Sequence, residues 1–354
     1  MAKLGEVCEF YAGTGFPNEY QGRVTGKYPF YKVGDISKNV LEGNRELKTC
    51  ANYVEEDVVQ KLKGSILPPK TIVFAKIGEA LKLNRRAITS CECLVDNNVM
   101  GIKAQNVRLN DEYLFYWLQN LNLSDYSEST TVPSVKKSRL QNIEINVNPL
   151  EEQEKVVSTL NKLSSLILAR KKQLSKLDEL VKARFVEMFG GYVPNAKLSD
   201  VASITGGLTK NSNRNKMKLK LPYVRVANVS YAKIDVSEML EIGLTEDEKA
   251  KTLLSHDDLL FVEGNGSPDQ IGRVALWRNE ITPCVHQNHL IKARFISHLI
   301  VPCFALYYFM SQEGRKQIRS KAVSTSGLYT LSVSKISNLL IPTPPLSLQN
   351  QFAA

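Results

Sequence analysis

Pro149-Leu150-Glu151-Glu152-Gln153-Glu154-Lys155-Val156-Val157 opens a stretch that runs to Met188-Phe189 and stops at Gly190-Gly191. Between Leu150 and Phe189 there is no Gly and no Pro. Apolar residues fall at Val156, Leu160, Leu163, Ile167, Leu174, Leu177, Val181 and Met188, in steps of four and three that Arg170 and Arg184 interrupt. That stepping is the a/d seam of a coiled coil. Pro149 suits a helix start, Glu151 and Glu152 suit the positive end of its dipole, and the paired glycines end it. At 1.5 Å per residue the helix is a rod of roughly 60 Å, too long for one small domain to cover. Its seam is expected to need a second helix. The runs Lys171-Lys172 and Lys182-Ala183-Arg184 read as solvated faces.

Outward from this rod, the chain repeats itself at a period of about 195 residues. Lys3-Leu4-Gly5-Glu6-Val7 returns as Lys197-Leu198-Ser199-Asp200-Val201. Pro29 to Ser37 returns as Pro222 to Ser230, and Val95-Asp96-Asn97-Asn98 as Val285-His286-Gln287-Asn288. Asn142-Ile143, Pro149-Leu150 and Gln153 return as Asn338-Leu339, Pro345-Leu346 and Gln349, all 196 residues on. Each unit begins with β-rich segments: Phe30–Val33, Thr71–Ala75 and Val99–Lys103 in the first, Tyr223–Val226, Asp258–Val262 and Leu290–Phe295 in the second. An amphipathic helix follows, near Asp111–Gln119 and near Pro302–Ser311. Each unit then closes on a short strand, Ile143–Val147 or Leu339–Ile341. The fold class expected is α+β, with two similar β-rich domains separated by a long coiled-coil-type helix.

Composition narrows the function. The 354 residues are 43% hydrophobic and 23% charged, close to globular averages. Lys and Arg number 46 against 36 Asp and Glu, a net charge of +10 that favours an acidic partner such as nucleic acid. No apolar run reaches the ~18 residues a membrane helix needs, and the N-terminus lacks an apolar signal segment. Six irregularly spaced cysteines fit reduced thiols, so the expected compartment is the cytoplasm.

Repeat and rod together resemble the specificity subunit of type I restriction-modification systems over essentially the whole chain. The resemblance rests on the Lys-Leu-Gly-Glu-Val opening, the Tyr31–Ile36 strand, and Pro149-Leu150-Glu151-Glu152-Gln153 opening a long helix. Unit two adds Gly272-Arg273-Val274-Ala275 after a Gly-rich loop and Pro344-Pro345-Leu346 followed by Gln349. It implies target-recognition domains at 1–148 and 191–344, a conserved spacer helix at 149–190 and the start of a truncated second helix at 345–354. A complete member would continue past Gln349 into a long helix antiparallel to the first. This chain ends at Ala354, so the expectation is that the seam is completed elsewhere, self-association through the unpaired helix included. The resemblance further implies double-stranded DNA as ligand, each domain reading half of a split target. It implies two methyltransferase subunits docked on the helices, and motor and restriction subunits in the full complex. S-adenosylmethionine, ATP and Mg are expected only in those partners, with no cofactor or catalysis here.

Sequence readout needs Arg or Lys for guanine and Asn or Gln for adenine, carried on loops of a rigid scaffold. In unit one the candidates are Thr14, Lys32, Lys82, Asn84, Arg85, Arg86, Ser134, Lys136 and Lys137. In unit two they are Lys210, Asn211, Asn213, Arg214 and Lys216 after Gly206-Gly207, then Arg225, then Asn265, Ser267, Gln270 and Arg273, and Ser326. The Ser/Thr-rich stretches Ser127–Val132 and Ala322–Tyr329 are read as phosphate-binding segments or as plain connections.

Catalytic signals are weak. There is no phosphate-binding G-x-x-x-x-G-K-[ST] loop. Thr343-Pro344-Pro345-Leu346 has the wrong flanks for an amino-methyltransferase motif, and Pro268-Asp269 lacks a following carboxylate-x-Lys pair. Cys91-x-Cys93 and Cys284-x-His286-x-x-His289 lack the ligands that complete a structural zinc site. Two rival readings stay open: a fused restriction or methylation enzyme fragment, and a coiled-coil scaffold that binds proteins without reading DNA.

Overall fold

The computed structural model describes residues 1–105, 107–128, 132–296, 298–325 and 327–354. Leu150–Phe189 is one α-helix of 40 residues. The chain divides within it into two units, Met1–Gln173 and Leu174–Ala354.

In the first unit a four-stranded antiparallel sheet runs in the order Cys8–Ala12, Val99–Ala104, Ile72–Ala75, Arg86–Ile88. Ile72-Val73-Phe74-Ala75 is buried throughout because both faces of the sheet are covered, so the strand reads as a continuous apolar run. Its alternation divides the core. Ile72 and Phe74 join Leu4, Leu114 and Leu118 on one side, while Val73 joins Tyr31, Ile36 and Leu47 on the other. A three-stranded sheet sets Tyr28–Tyr31 between Tyr53–Val54, antiparallel, and Leu94–Val95, parallel. Ala2–Lys3 pairs with Glu144–Ile145 and ties the start of the unit to its end.

The second unit has the same plan. Its four-stranded sheet runs Ala202–Gly206, Leu290–Phe295, Leu259–Val262, Val274–Leu276. Its three-stranded sheet sets Lys220–Val224 between Leu240–Gly243, antiparallel, and Val285–His286, parallel. Ala196–Lys197 pairs with Leu340–Ile341. Leu259 and Phe261 face one core, Leu260 and Val262 the other. Internal repetition in the sequence is thus a repeated topology.

Three local expectations are corrected. Tyr31–Ile36 is not a strand: the strand ends at Tyr31 and a helix, Val33–Leu41, follows. Asp35 accepts a 2.8 Å hydrogen bond from the Lys32 amide and so caps that helix. Asn228 does the same for the Arg225 amide at 2.9 Å in unit two, ending the predicted Tyr223–Val226 strand at Val224. The closing strand of unit one is also shorter than Ile143–Val147, pairing only over Glu144–Ile145.

The repeated glutamines have a physical reason. Gln153 is fully buried, donates to the carbonyls of Arg108 (2.9 Å) and Asn148 (2.7 Å), and accepts from the Asn110 amide (2.9 Å). Gln349 donates to Leu299 (3.2 Å) and Pro344 (2.8 Å) and accepts from Val301 (2.8 Å). Each glutamine satisfies loop backbone just before a helix, the amphipathic Asp111–Gln119 or Pro302–Met310, which is apolar all round rather than amphipathic as expected. Gln153→Ala removes the partner of three backbone groups at a fully buried side chain and is expected to cost about 2 kcal/mol in urea unfolding; a loss below about 0.5 kcal/mol would contradict this role.

Along the long helix the buried positions are Gln153, Val157, Phe185 and Phe189, near its ends. The seam expected to need a second helix has no second long helix facing it among the described residues. Val156 (41%), Leu163 (52%), Ile167 (48%), Leu174 (63%) and Leu177 (56%) are exposed, and only Leu160, Val181 and Met188 are half-buried.

Candidate nucleic-acid interface

Both units anchor a loop where two backbones cross with no room for a side chain. A Cβ at Gly13 would lie 1.8 Å from the Asp96 carbonyl oxygen, and one at Gly207 would lie 2.3 Å from that of His286. The next residues, Thr14 and Leu208, donate their amides to Val95 (3.0 Å) and His286 (2.9 Å). A second loop follows the central strand. The Val135 amide donates to Lys76 at 2.9 Å, and the Leu331 amide to Glu263 at 2.8 Å. These staples hold the segments before the last short helix of each unit, Lys137–Gln141 and Val333–Ser337, against the loop leaving the sheet.

In unit one the candidates separate. Ser134, Lys136 and Lys137 come together with Lys76, Phe10 and Tyr11 around a cleft of about 330 Å³. Lys136 pairs with Glu128 at 2.6 Å, and this pairing holds the Glu128 carboxyl below its ordinary pKa. Lys137 lies 6.0 Å from the centre of the Phe10 ring. Thr14 is half-buried and donates its hydroxyl to the Leu62 carbonyl. Lys32 is half-buried, donates to Gln21 at 2.6 Å and sits 5.7 Å from the centre of Phe16, which stacks on Phe30. Lys82 is exposed and pairs with Glu79 at 2.7 Å.

Arg86 belongs to the interior, and the half-buried Asn84 is committed to neighbouring backbone. Asn84 donates to the Leu121 carbonyl and accepts from the Leu123 amide and Arg86. Arg86 is 3% exposed, donates to Leu121 as well, and burial pulls its pKa down to about 10. Arg85, between them, is half-buried and enters no ion pair among the described residues. Of this run, Arg85 is the side chain left for a ligand.

In unit two, Lys210, Asn213 and Lys216 are exposed, as are Lys218 and Lys220 just beyond. No ion pair among the described residues engages these four lysines. Asn211 caps the turn Ser212–Lys216 by accepting the Arg214 amide at 3.2 Å. Arg214, read from sequence as part of the same basic loop, is corrected to an interior residue. It is 8% exposed, and its guanidinium meets Glu248 through two nitrogens. Arg225 is half-buried, donates to the Glu238 carbonyl at 3.0 Å and pairs with the Glu238 carboxylate at 3.6 Å.

The loop Glu263–Arg273 is braced from behind. Gly264 and Asn265 pair with Thr330 and Tyr329. Asn265 accepts the Ser267 amide at 2.9 Å, and Gln270 accepts from Arg273 at 3.2 Å. Arg315, 7% exposed, donates to the carbonyls of Gly272 and Asp269, and Tyr231 also donates to Asp269. Sequence reasoning missed Lys76, Phe10, Tyr11, Tyr231, Glu248 and Arg315, because each reaches its loop from a distant segment. Ser326 and part of the Ser127–Val132 stretch lie outside the described residues.

Chemically, exposed lysines on braced loops have the charge that phosphate contacts require, and Asn213, Asn265 and Gln270 carry amides of the kind that match base edges. Among the described residues no group of three or more His, Cys, Asp and Glu side chains can hold a metal ion. His286 and Cys284 from the His/Cys motif are buried in the core.

The model of the type I restriction modification DNA specificity domain matches residues 1–179 and again residues 193–354. The chain belongs to this family. The two matched copies coincide with the repeated topology, and the likeness extends to curated specificity subunits. The type I restriction enzyme MjaVIII specificity subunit of Methanocaldococcus jannaschii is 23% identical over 382 residues, covering 100% of this chain and 84% of the relative. The StySPI specificity subunit of Salmonella potsdam is 24% identical over 249 residues, 65% of this chain and 53% of the relative. Three curated relatives are matched over only 37%, 53% and 53% of their lengths, so the chain spans about half of them or less. The fold is shared with the crystallised type I restriction-modification S subunit from M. genitalium, at a TM-score of 0.52 and 15% identity, covering 99% of this chain and 86% of that one. No helix among the described residues is long and apolar enough to cross a membrane.

Proposed function

We propose that this specificity-domain protein is the non-catalytic, DNA-reading subunit of a type I restriction-modification complex. Each unit reads one half of a bipartite double-stranded target. The helix Leu150–Phe189 serves as spacer and as docking surface for two methyltransferase subunits. Motor and restriction subunits join the larger assembly, and S-adenosylmethionine, ATP and Mg work in those partners, in the cytoplasm. The observation that carries this reading is the duplicated fold joined through one unbroken helix, with loops stapled at matching places in both units and exposed lysines on a stapled loop of each.

The energetics divide into two parts. Lysines on the loops give salt-sensitive affinity that ignores sequence. Asn, Gln and Arg contacts to base edges add roughly 1–3 kcal/mol of discrimination each. The seam residues Leu163, Ile167, Leu174 and Leu177 give the helix an apolar surface for partner helices.

A domain exchange tests the reading. When residues 1–148 are replaced by the same segment of another family member, the methylated or selected sequence is expected to change in one half only. Exchange of 191–344 changes the other half. A swap that alters both halves, or neither, overturns bipartite reading. Absence of salt-dependent binding to random duplex, with and without a methyltransferase subunit, favours a protein scaffold. Methyl transfer by the chain alone favours an enzyme.

A further inference from the structure

The basic loop of unit two is shaped by an ion pair whose arginine is buried and whose carboxylate is half-buried. Arg214 donates through Nε to the Thr209 carbonyl at 2.6 Å, closing the loop on its own start. One terminal nitrogen donates to the Gly243 carbonyl (2.9 Å) and to Glu248 Oε2 (3.0 Å), and the other to Glu248 Oε1 (2.7 Å). This is the bidentate geometry in which Arg differs most from Lys. Glu248 is itself fixed: it accepts the Thr245 amide at 3.0 Å and sits in the first turn of the helix Glu246–Thr252. The loop backbone also rests directly on Gly243, where a Cβ would come 2.0 Å from the Arg214 carbonyl oxygen. Backbone groups of the loop therefore have one arrangement in which Arg214 is satisfied. Lys210, Asn213 and Lys216 lie on its exposed side.

We propose that Arg214 and Glu248 are positioning residues for DNA reading. They hold the Thr209–Lys216 loop in the conformation that decides which bases its outward side chains reach, and neither touches DNA. This rests on the reading that the loop is part of a DNA interface. Arg214 carries the charge of a phosphate ligand, yet its guanidinium is committed to a carboxylate 34 residues further along the chain. The sign of one mutational effect separates the two roles. Removing the Glu248 carboxylate takes a negative charge away from a basic loop. Simple electrostatics then predicts tighter DNA binding. Loss of positioning predicts weaker and less selective binding.

The test uses the full chain as wild type and as Glu248→Gln, Arg214→Lys and Lys210→Ala. Amide exchange over residues 209–217 is measured first. It is expected to accelerate by at least about tenfold in Glu248→Gln and Arg214→Lys and to stay unchanged in Lys210→Ala. Exchange in the strand Leu259–Val262 reports that unit two remains folded, and Arg214→Lys serves if Glu248→Gln does not fold. Selection from a random duplex library then reads specificity. Both pair variants are expected to lose selectivity in one half of the target and keep the other half. Lys210→Ala keeps the selected sequence and lowers the slope of log affinity against log salt by about 0.9, as loss of one phosphate contact does. Unchanged loop exchange overturns the positioning role. So does tighter binding by Glu248→Gln with selectivity intact. A wild-type chain that binds no duplex at any salt overturns the underlying reading instead, while the exchange result still decides whether the pair shapes the loop.

Discussion

Phe304→Ala is expected to destabilise the second unit by about 3–5 kcal/mol, the range for emptying a fully buried aromatic site. Phe304 is 0% exposed on the helix Pro302–Met310. Its ring lies 4.7 Å from Phe189 and 5.6 Å from Phe185, centre to centre. Phe352 closes the cluster at 5.4 Å from Phe185 and 5.2 Å from Tyr307. These are edge-on and tilted ring pairs, which add to the area term. Phe185 and Phe189 belong to the last turns of the long helix, so the cluster is what fastens that helix end to the body of unit two. Alanine leaves a void bounded by other rings, and rings on three separate helices have little freedom to collapse into it. Denaturant unfolding of the full chain, with exchange in Leu259–Val262 and Leu290–Phe295 as the readout for this unit, measures the loss. A value below about 1.5 kcal/mol would mean that the site repacks and that the cluster is not the fastening.

The same cluster shows where sequence reading ends. The long helix was legible because it contains no breaker, begins after Pro149 and stops at Gly190-Gly191, all local signals. Its burial was not. The four-and-three stepping points to Leu163, Ile167, Leu174 and Leu177, yet these are exposed, while Phe185 and Phe189 are buried by aromatic residues more than a hundred positions away. Periodicity identifies an apolar stripe; tertiary contact decides which part of it is covered. The Tyr31–Ile36 error has a similar origin. β-branched Val33 and Ile36 raise strand propensity, but they are three apart with Asp35 placed to cap, and the helix won. At the candidate site, loops were legible from Gly, Asn and Lys content. The direction of each side chain was not: Lys210 and Arg214 look alike in sequence, and only the distant Glu248 turns one of them inward.

Acid is expected to weaken the second unit from about pH 6.5 downward. His286 is 0% exposed. Its Nδ1–H donates to the Thr252 carbonyl at 3.0 Å, and its Nε2 has no hydrogen-bond partner among the described residues. Burial, reinforced by the nearby Lys292 ammonium, pulls its pKa from 6.5 down to about 4. Between those values the unfolded chain takes up a proton that the folded chain refuses. Stability therefore falls as pH drops from about 6.5 to about 4, by up to about 3 kcal/mol if the full shift is realised. Lys292 acts in a separate window. It is 3% exposed, donates to the carbonyls of Lys251 and Leu253, and burial lowers it to about 8. Its effect on stability changes only above that pH, as the folded chain gives up a proton that the unfolded chain keeps up to about 10.5. Glu248 acts on the other side. Arg214 holds it at about 2, so its stabilisation is complete above its unfolded value of 4.5 and is lost as pH falls toward 2. The decline between pH 6.5 and 4.5 thus belongs to His286. Urea unfolding at steps across that range, read through unit-two exchange, is expected to show the slope in the wild-type chain and a flat response in His286→Gln. Equal slopes in both would place the proton uptake elsewhere.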